Sequence, residues 1–462
     1  MRILSALLWG YSLALTGSDK FDAANYVKDD VIIRDIVIVG GGSTGTFAAL
    51  SLLDLGQRIV MVEQEPRLGG HTIVYTEPKT GTKIDYGVQS YLNSSVVRDF
   101  FGRFKIPLTR FSLNANATVY ADFETGEVFT DFEPGFNLEA YSAQVEKYPY
   151  LLTSWDLPDP VPEDLLLPFG EFITKYSLQD VAYTIWTRSR GSGNILSQPT
   201  VYILKSFGAP CIRGLREGTL VTAHHDNSEI YDKALEELGP DALVSSTVIE
   251  SQRSIDGVRL IVQTPHGIKL IIASKALVSI PPTLENMRPF SLDDHEESRF
   301  GRFNSSASYV ALVTETGLPS GYQFFNTGDS NRTFRIPTLP ALYNLNPTVV
   351  DGIFSTWYGG LKATSEADVK AEISASINRL RKALRRSNNT QDDNHEIRFL
   401  AYKSHTPMHF TVPTEDIGAG FYRELQALQG HRNTWYTGAA FLSQHAGPLW
   451  NFTQDLMSAV LA

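Results

Sequence analysis

DIVIVGGGSTGTFAAL, residues 35 to 50, decides the fold of this chain. The apolar run before the glycines predicts a buried strand that stops abruptly. Gly40, Gly42 and Gly45 then fit the pattern G-x-G-x-x-G. The first glycine of that pattern allows a tight turn, the second lets a pyrophosphate approach the backbone, and the third lets a helix pack against the strand. The stretch therefore predicts a dinucleotide-binding loop in a parallel sheet.

The residues after this loop strengthen the prediction. A helix is expected from about Ser43 to Leu55, and its first turn, which includes Thr44, directs free N–H groups at the phosphates. A second apolar strand follows and ends at Glu63. An acid at the end of this strand binds the adenosine ribose hydroxyls. Because Glu63 favours a free 2′-hydroxyl, FAD or NAD is expected rather than NADP.

Composition and charge limit the possible functions. The chain has 462 residues, which predicts two domains or one large α/β unit with a cap. Its net charge of −11 argues against a nucleic-acid partner, because no phosphate-neutralising surface is implied. A G-x-S-x-G elbow, zinc-ligand spacing and a P-loop are all missing from the sequence, which disfavours a hydrolase or a nucleoside triphosphatase. The single cysteine, Cys211, permits no intramolecular disulfide and is expected to be a small buried residue.

The first residues predict export. Residues 1–17 carry one arginine, then about a dozen mostly apolar residues, then small and polar ones, which is typical of a secretory signal peptide. No later run is long enough to span a bilayer. The excess of glycosylation sequons supports passage through the secretory pathway. The asparagines of these sequons are Asn93, Asn116, Asn304, Asn331, Asn388 and Asn451. The expected location is secreted or in a vesicle lumen.

Three further stretches carry a family resemblance: EPRLGGH at 65–71, KIDYGVQS at 83–90 and WYTGAA at 435–440. With them the chain resembles the flavin-containing amine oxidoreductases, and most closely a fungal group typified by β-cyclopiazonate dehydrogenase. The resemblance implies FAD as the cofactor. The FAD contacts that it implies, beyond the glycine loop and Glu63, are Arg67, Gly69, Gly70, His71, Val248, Gly438, Ala439, Leu449 and Trp450.

The fold class implied is α/β, with a discontinuous Rossmann-type FAD-binding domain and an inserted α+β substrate domain. The FAD-binding domain is expected in residues 31–100, 210–290 and 395–462. The substrate domain is expected in residues 101–209 and 291–394. The substrate should lie between the two, on the flavin ring.

Four side chains are candidates for chemistry near that ring. His71 either contacts the flavin or carries a covalent link to it, a habit of some relatives; Cys211 is a poorer candidate for such a link. His405 is a candidate general base, because an imidazole titrates near working pH, or a histidine that bonds a backbone carbonyl before Pro407. Lys403, on the same strand face, and Tyr358 complete the catalytic candidates. No metal site is expected.

The function that follows is an FAD-dependent oxidoreductase. It would remove a hydride from a small, largely apolar secondary metabolite or an amine, with or without ring closure. Because the sequence has no second dinucleotide-binding pattern, molecular oxygen is the simplest electron acceptor. The alternatives are a flavin-dependent isomerase of an unsaturated fatty acid and a non-catalytic FAD-binding protein.

Overall fold

The computed structural model describes residues 20–112, 115–387 and 396–462. The predicted signal peptide and the sequon at Asn388 lie outside the described residues. The strands that it describes are, in chain order, β1 (Val31–Val39), β2 (Ile59–Val62), β3 (Val74–Thr76), β4 (Lys83–Asp85), β5 (Leu108–Arg110), β6 (Ala117–Ala121), β7 (Val128–Phe129), β8 (Leu220–Thr222), β9 (Ala242–Leu243), β10 (Thr247–Ser254), β11 (Gly257–Thr264), β12 (Gly267–Val278), β13 (Asn304–Ser305), β14 (Ala307–Thr314), β15 (Tyr322–Asn326), β16 (Ala341–Pro347), β17 (Phe354–Gly360), β18 (Arg398–Ser404), β19 (Phe410–Thr411) and β20 (Thr434–Tyr436).

The longest run of consecutive α-helices lies between β7 and β8. The α-helices that the structure describes are, in chain order, α1 (Ser43–Asp54), α2 (Ser95–Arg103), α3 (Glu139–Val145), α4 (Glu163–Leu166), α5 (Phe169–Lys175), α6 (Gln179–Arg188), α7 (Thr200–Ser206), α8 (Ala209–Glu217), α9 (Glu229–Leu238), α10 (Leu284–Met287), α11 (Asp294–Phe300), α12 (Glu366–Ser387), α13 (Thr414–Gly418), α14 (Phe421–Gln426) and α15 (Ala446–Leu461).

The first large sheet has the strand order β10-β11-β12-β1-β2-β9, with β20 paired to β12. β1 runs parallel to both β2 and β12, and β12 runs parallel to β20. The carboxyl ends of these strands therefore meet at one edge, where the glycine loop after β1 lies. This is the crevice in which open α/β sheets bind ligands. The Rossmann-type domain expected from the sequence is confirmed.

An apolar layer holds α1 and α15 together on one face of this sheet. Phe47 of α1 stacks on Trp450 of α15, with ring centroids 5.6 Å apart. Phe100 of α2 packs edge-on against both rings. Burial of such aromatic side chains contributes roughly 2 kcal/mol each, so this cluster fixes the start of α1 and with it the glycine loop.

The second large sheet, in the order β18-β14-β17-β16-β15-β6-β7, belongs to the substrate domain. α12 covers one face with Val369, Ile373 and Ile377, all fully buried. The opposite face carries Tyr343 and Trp357, and Tyr343 packs against Trp186 of α6 with ring centroids 5.1 Å apart. One face is therefore closed by a helix, and the other is directed towards the rest of the molecule.

The domain limits predicted from the sequence need one correction. Residues 395–462 were assigned to the FAD-binding domain, but β18 pairs with β14 of the substrate sheet, and β19 pairs with β13. The third FAD-binding segment therefore begins after β19. β11 and β12 form an antiparallel hairpin, and β12 continues to Val278 without a break.

A buried ion pair ties α11 to the first sheet. Arg253 and Glu296 are both fully buried and form two hydrogen bonds of 2.7 and 2.8 Å. Glu296 also accepts a hydrogen bond of 2.5 Å from the Tyr436 hydroxyl, and Arg253 donates two hydrogen bonds to the Phe290 carbonyl. Each polar atom of the pair has a partner, which is the condition for keeping such charges inside a protein.

Within the described part of the chain, the one group of side chains with metal-ligand geometry is Asp293, Glu296 and His431. Glu296 is already bound to Arg253, and Asp293 accepts a hydrogen bond of 2.6 Å from His431. These partners leave the group no role as a metal centre. Among the same residues, no helix is both long enough and apolar enough to cross a bilayer.

Candidate active site

The glycine loop has the geometry that a bound pyrophosphate needs. Gly40 has φ +100°, and a Cβ there would lie 2.7 Å from Ser279 Oγ. A Cβ on Gly45 would lie 1.9 Å from the Gly40 carbonyl oxygen, so the helix can approach the strand only without a side chain. A Cβ on Gly42 would meet no atom within 4 Å. Gly40 and Gly45 are thus required by the protein itself, whereas Gly42 borders open space at the N-terminus of α1, the place for an anion.

Glu63 lies at the end of β2, directly beside this loop. Its carboxylate accepts a hydrogen bond of 2.6 Å from the Gly41 amide and one of 2.7 Å from the Glu65 amide. The Glu63 carbonyl accepts the Ser246 amide, so the first residues of β10, including the buried Val248, lie beside the predicted ribose site. Glu63 and the start of β10, with Val248, therefore lie close together beside the glycine loop.

The glycine pair after β2 lies against the first glycine loop. The Gly69 amide donates to the Gly41 carbonyl at 2.8 Å, and a Cβ on Gly70 would lie 3.2 Å from Gly42 Cα. Both glycines have positive φ, +99° and +55°. Arg67 donates to the backbone carbonyls of the same turn, including that of Gly70 at 2.8 Å. In this structure, the Arg67 guanidinium therefore stabilises the turn.

The C-terminal turn completes the cofactor cradle. Gly438 has φ +106°, and a Cβ there would lie 3.2 Å from the Ser279 carbonyl oxygen, next to Gly40. Ala439 follows in a short 3-10 turn, and α15 begins at Ala446 after the N-cap His445. Leu449, in the first turn of α15, is buried. Four separate segments thus meet at one edge of the sheet, and their small residues leave room for an extended dinucleotide.

His71 and His405 form a stacked pair beside this cradle. Their ring centroids lie 4.2 Å apart, with planes 14° from parallel. The His71 side chain is accessible to solvent, although many protein atoms surround it. This combination is expected of a side chain that lines a cavity. Burial, with Arg67 and Lys403 nearby, lowers the pKa of His71 to about 4. Burial and the neighbouring His71 lower the pKa of His405 well below its usual value. Both rings are therefore neutral at physiological pH.

The turn that carries His405 is held by its backbone. The His405 amide donates to the Ser308 carbonyl at 2.8 Å, and the Thr406–Pro407 peptide bond is cis. His405 Nε2 has no hydrogen-bond partner among the described residues. The backbone of His405 thus shapes the turn, and its ring remains free for a ligand.

Lys403 contacts the segment that follows β2, next to Glu63. Its Nζ lies 3.0 Å from Glu65 Oε1, and both side chains are partly exposed. Exposed pairs of this kind contribute only about 0–1 kcal/mol to stability, so the lysine is not fixed to this partner. Lys403 is nevertheless near enough to His71 and His405 to lower the pKa of both.

Two predicted site residues lie elsewhere. Tyr358 is buried against α12 and therefore lies on the face of the sheet that this helix closes. Desolvation at this position raises the pKa of Tyr358 to about 12. Its neighbour Trp357 lies on the opposite face, because side chains alternate along a strand. Trp450 is fully buried behind α1 and donates a hydrogen bond of 3.1 Å to Ser43 Oγ. Trp450 therefore supports the helix start, and neither residue lines the site.

The structure adds residues that the sequence reasoning missed. Cys211, set aside as a buried hydrophobe far from the site, lies 3.1 Å from Nε2 of His445, the N-cap of α15. The same nitrogen lies 2.7 Å from the Ser206 carbonyl oxygen. Although burial opposes protonation, Cys211 and the Ser206 carbonyl raise the pKa of His445 to about 9. His445 lies close in sequence to the predicted FAD contacts Leu449 and Trp450, but nothing in the sequence pairs it with Cys211.

Comparison with known proteins identifies the family. Residues 35–139 match the model of the FAD dependent oxidoreductase family. The chain is 43% identical to FAD-dependent oxidoreductase pigF of Monascus ruber over 95% of this chain and 94% of that protein. It is 33% identical to β-cyclopiazonate dehydrogenase of Aspergillus oryzae, over 93% of each chain.

Solved structures share the fold at low sequence identity. A fatty acid isomerase from P. acnes that produces CLA has a TM-score of 0.70 and 18% identity, over 93% of this chain and 99% of that one. Putrescine oxidase bound to putrescine has a TM-score of 0.65 and 16% identity with the same coverage. These likenesses establish the architecture, and the full-length relatives establish the family. The chain belongs to the fungal FAD-dependent oxidoreductases that include β-cyclopiazonate dehydrogenase, and it is an FAD-dependent enzyme.

Proposed function

We propose that this enzyme removes a hydride from a C–H or C–N bond of a small, largely apolar metabolite or amine. The observation that carries the proposal is the neutral His71–His405 pair beside the glycine cradle, with an unpartnered His405 Nε2. A ring nitrogen that lacks a protein partner in a buried site is available to a bound molecule. The aromatic face of the substrate sheet, with Trp357 and Tyr343, supplies the apolar wall.

The protein's own contribution is orientation and proton handling. Bound FAD supplies the acceptor for two electrons, which no protein side chain provides. The cradle would hold the pyrophosphate at Gly42 and the ribose at Glu63. The His405 ring would accept the proton that the substrate gives up, at Nε2. Because burial and the nearby cations disfavour the imidazolium, His405 is a weak base until a negative charge enters the site.

Molecular oxygen is the proposed final acceptor. The substrate loses one hydride and one proton, and oxygen takes up two electrons and two protons to become hydrogen peroxide. A ring closure within the substrate would follow if a nucleophilic group of the same molecule attacks the oxidised carbon. Oxygen consumption and peroxide release, measured with candidate metabolites under air, test this assignment. Substrate conversion without either product would favour the isomerase.

The first measurement is the visible spectrum of the purified protein before and after acid precipitation. Flavin released to the supernatant means that His71 only contacts the cofactor, whereas a yellow pellet means a covalent link. His71→Ala should then release the flavin, and the matched variant His409→Ala, at a histidine outside the stacked pair, should retain it. Folded protein without any flavin would contradict the proposal. A flavin that dithionite reduces but no candidate metabolite reduces would favour the non-catalytic reading.

We also propose that the protein travels the secretory pathway. All five sequon asparagines within the described residues are exposed, so each is accessible to glycosylation. The N-terminal signal pattern is the second support. A mobility shift on treatment of the natively produced protein with a glycan-removing amidase would support this location, and an unmodified full-length chain in the cytosolic fraction would contradict it.

A further inference from the structure

We infer that the substrate carries a carboxylate on an aromatic or apolar body, and that Arg190, assisted by Arg188, binds it. The inference rests on the proposed function, because it names the class of molecule that this site accepts. It is carried by two guanidinium groups in the substrate domain that have no acidic partner, and by the aromatic face on which one of them lies.

Arg190 lies on the open face of the substrate sheet. Its guanidinium carbon is 4.7 Å from the centroid of the Trp357 ring. Stacking on an aromatic ring orients a guanidinium and leaves the N–H groups on its edge free for a planar anion. Arg190 is half-buried and Arg188, at the end of α6, is exposed. Within the part of the chain that the structure describes, no carboxylate is paired with either arginine.

Arg190 carries a charge that has no acidic partner among the described residues, at a position that is half-buried. Desolvation, together with the like charge of Arg188, lowers the pKa of Arg190 to about 10. Desolvation also lowers the pKa of Arg188. Burying a charge without a partner is unfavourable, and proteins ordinarily pair such groups, as Arg253 is paired with Glu296 in this chain. A bound anion would remove the penalty at Arg190.

The loop that carries Arg190 reaches the His405 turn. Gly191 has φ +85°, a conformation that favours glycine, and a Cβ there would lie 3.1 Å from Met408 Cγ and 3.9 Å from the Trp357 ring. Trp357 Nε1 donates to Ser308 Oγ at 2.7 Å, and the Ser308 carbonyl accepts the His405 amide. The two ends of the site are thus joined through Ser308. A molecule held at Arg190 would extend along the aromatic face towards the histidine pair.

The other surroundings of Arg188 are consistent with entry of an anion from solvent. Arg188 lines an open cavity of about 630 Å³ between α3 and α8, together with Arg216. Glu139 and Glu146 line the same cavity, but neither is paired with Arg188.

The test uses the flavin-loaded protein and pairs of probes that differ only in charge. Benzoate is compared with benzamide, phenylacetate with phenylacetamide and indole-3-acetate with its amide, by titration against the visible flavin spectrum. We expect at least one acid to bind about 10- to 100-fold more tightly than its amide, the range for a charge-assisted pair of hydrogen bonds. Arg190→Gln should reduce this preference to near one, and Arg190→Lys should restore part of it.

The control and the contrary outcomes follow from the geometry. Arg423→Gln removes the same charge at the surface, where Arg423 pairs with the exposed Asp159, and should leave the preference unchanged. Equal binding of every acid and amide, no spectral response to any probe, or an unchanged preference in Arg190→Gln would each overturn the inference. Since binding needs no turnover, a protein without oxidase activity can still pass or fail this test. Retained flavin content in each variant shows that it is folded.

Discussion

Arg253 is fully buried and Arg190 is half-buried, and only Arg253 has its charge balanced by an acidic side chain of the described residues. The Nη1 and Nη2 atoms of Arg253 each donate a hydrogen bond to one carboxylate oxygen of Glu296. Arg190 lies on the Trp357 ring without an acidic partner among the described residues. A guanidinium that the protein neutralises serves the fold. A guanidinium that the protein orients but leaves unpaired is arranged for a ligand.

The same difference separates the glycines of the dinucleotide loop. Gly45 is required by the protein, since a methyl group there would overlap the Gly40 carbonyl. Gly42 borders empty space, so the packing of the protein itself does not require a glycine there. In each of these two comparisons, Arg253 with Arg190 and Gly45 with Gly42, the first residue is required by contacts within the protein and the second is not. Substitutions at both members of a pair test this difference.

The largest expected effect is the loss of the buried ion pair. Glu296→Ala leaves the Arg253 charge without its partner inside the protein, and it also removes the acceptor of the Tyr436 hydroxyl. Removing one member of such a pair costs about 3–5 kcal/mol of unfolding free energy. Urea unfolding followed by circular dichroism measures this loss. Arg190→Gln is the matched variant: it should cost less than about 1 kcal/mol, because it removes a charge that nothing balances. Equal losses in the two variants would mean that Arg190 is a structural residue.

The glycine pair should separate folding from cofactor binding. Gly45→Ala forces α1 away from β1, and overpacking of this kind costs about 1–3 kcal/mol. Gly42 has φ −64°, a conformation that alanine adopts without strain, so Gly42→Ala should fold normally and yet lose most of its FAD. Flavin absorbance per protein and the urea midpoint of the cofactor-free protein distinguish the two outcomes. Normal flavin content in Gly42→Ala would place the pyrophosphate elsewhere.

The nucleotide side of the site was predictable because its signals are local. The roles of Gly40 and Gly45 follow from spacing alone, and Glu63 follows from the end of the next strand. The substrate side was not predictable in this way. Strand alternation could place Tyr358 and Trp357 on opposite faces, but only the position of α12 shows which of these faces is closed.

Contacts between distant segments were the least predictable part. Cys211 and His445 are separated by 234 positions in the chain, and neither belongs to a motif that names the other. Arg190 follows a helix in an R-S-R-G sequence that reads as an ordinary basic loop. The lack of an acidic partner for Arg190 depends on which residues surround it in the folded chain, so it cannot be predicted from the composition.

Acid should destabilise the protein through its neutral histidines. Burial lowers the pKa of His409 to about 4, and its Nε2 has no partner among the described residues. The unfolded chain takes up a proton below about pH 6.5, whereas the folded chain does so only near pH 4. Stability is therefore lost as the pH falls from 6.5 to 4, by about 1 kcal/mol at pH 5.5 for this residue. His409→Phe should lose less stability than the parent between pH 7.5 and 5.5, measured by urea midpoints. An identical pH dependence in the two proteins would contradict the assignment.

The smallest effect concerns the ring beneath Arg190. Trp357→Phe keeps an aromatic surface but weakens the cation–π contact by about 0.5–1 kcal/mol, and it removes the hydrogen bond to Ser308 Oγ. The arginine is then less well oriented, so the preference for benzoate over benzamide should fall about 2- to 5-fold, without reaching the loss seen in Arg190→Gln. Tyr358→Phe, one position along the strand on the closed face, should leave the preference as it is. If both variants lower it equally, the effect comes from the sheet as a whole, and the orientation of Arg190 by Trp357 has no part in anion binding.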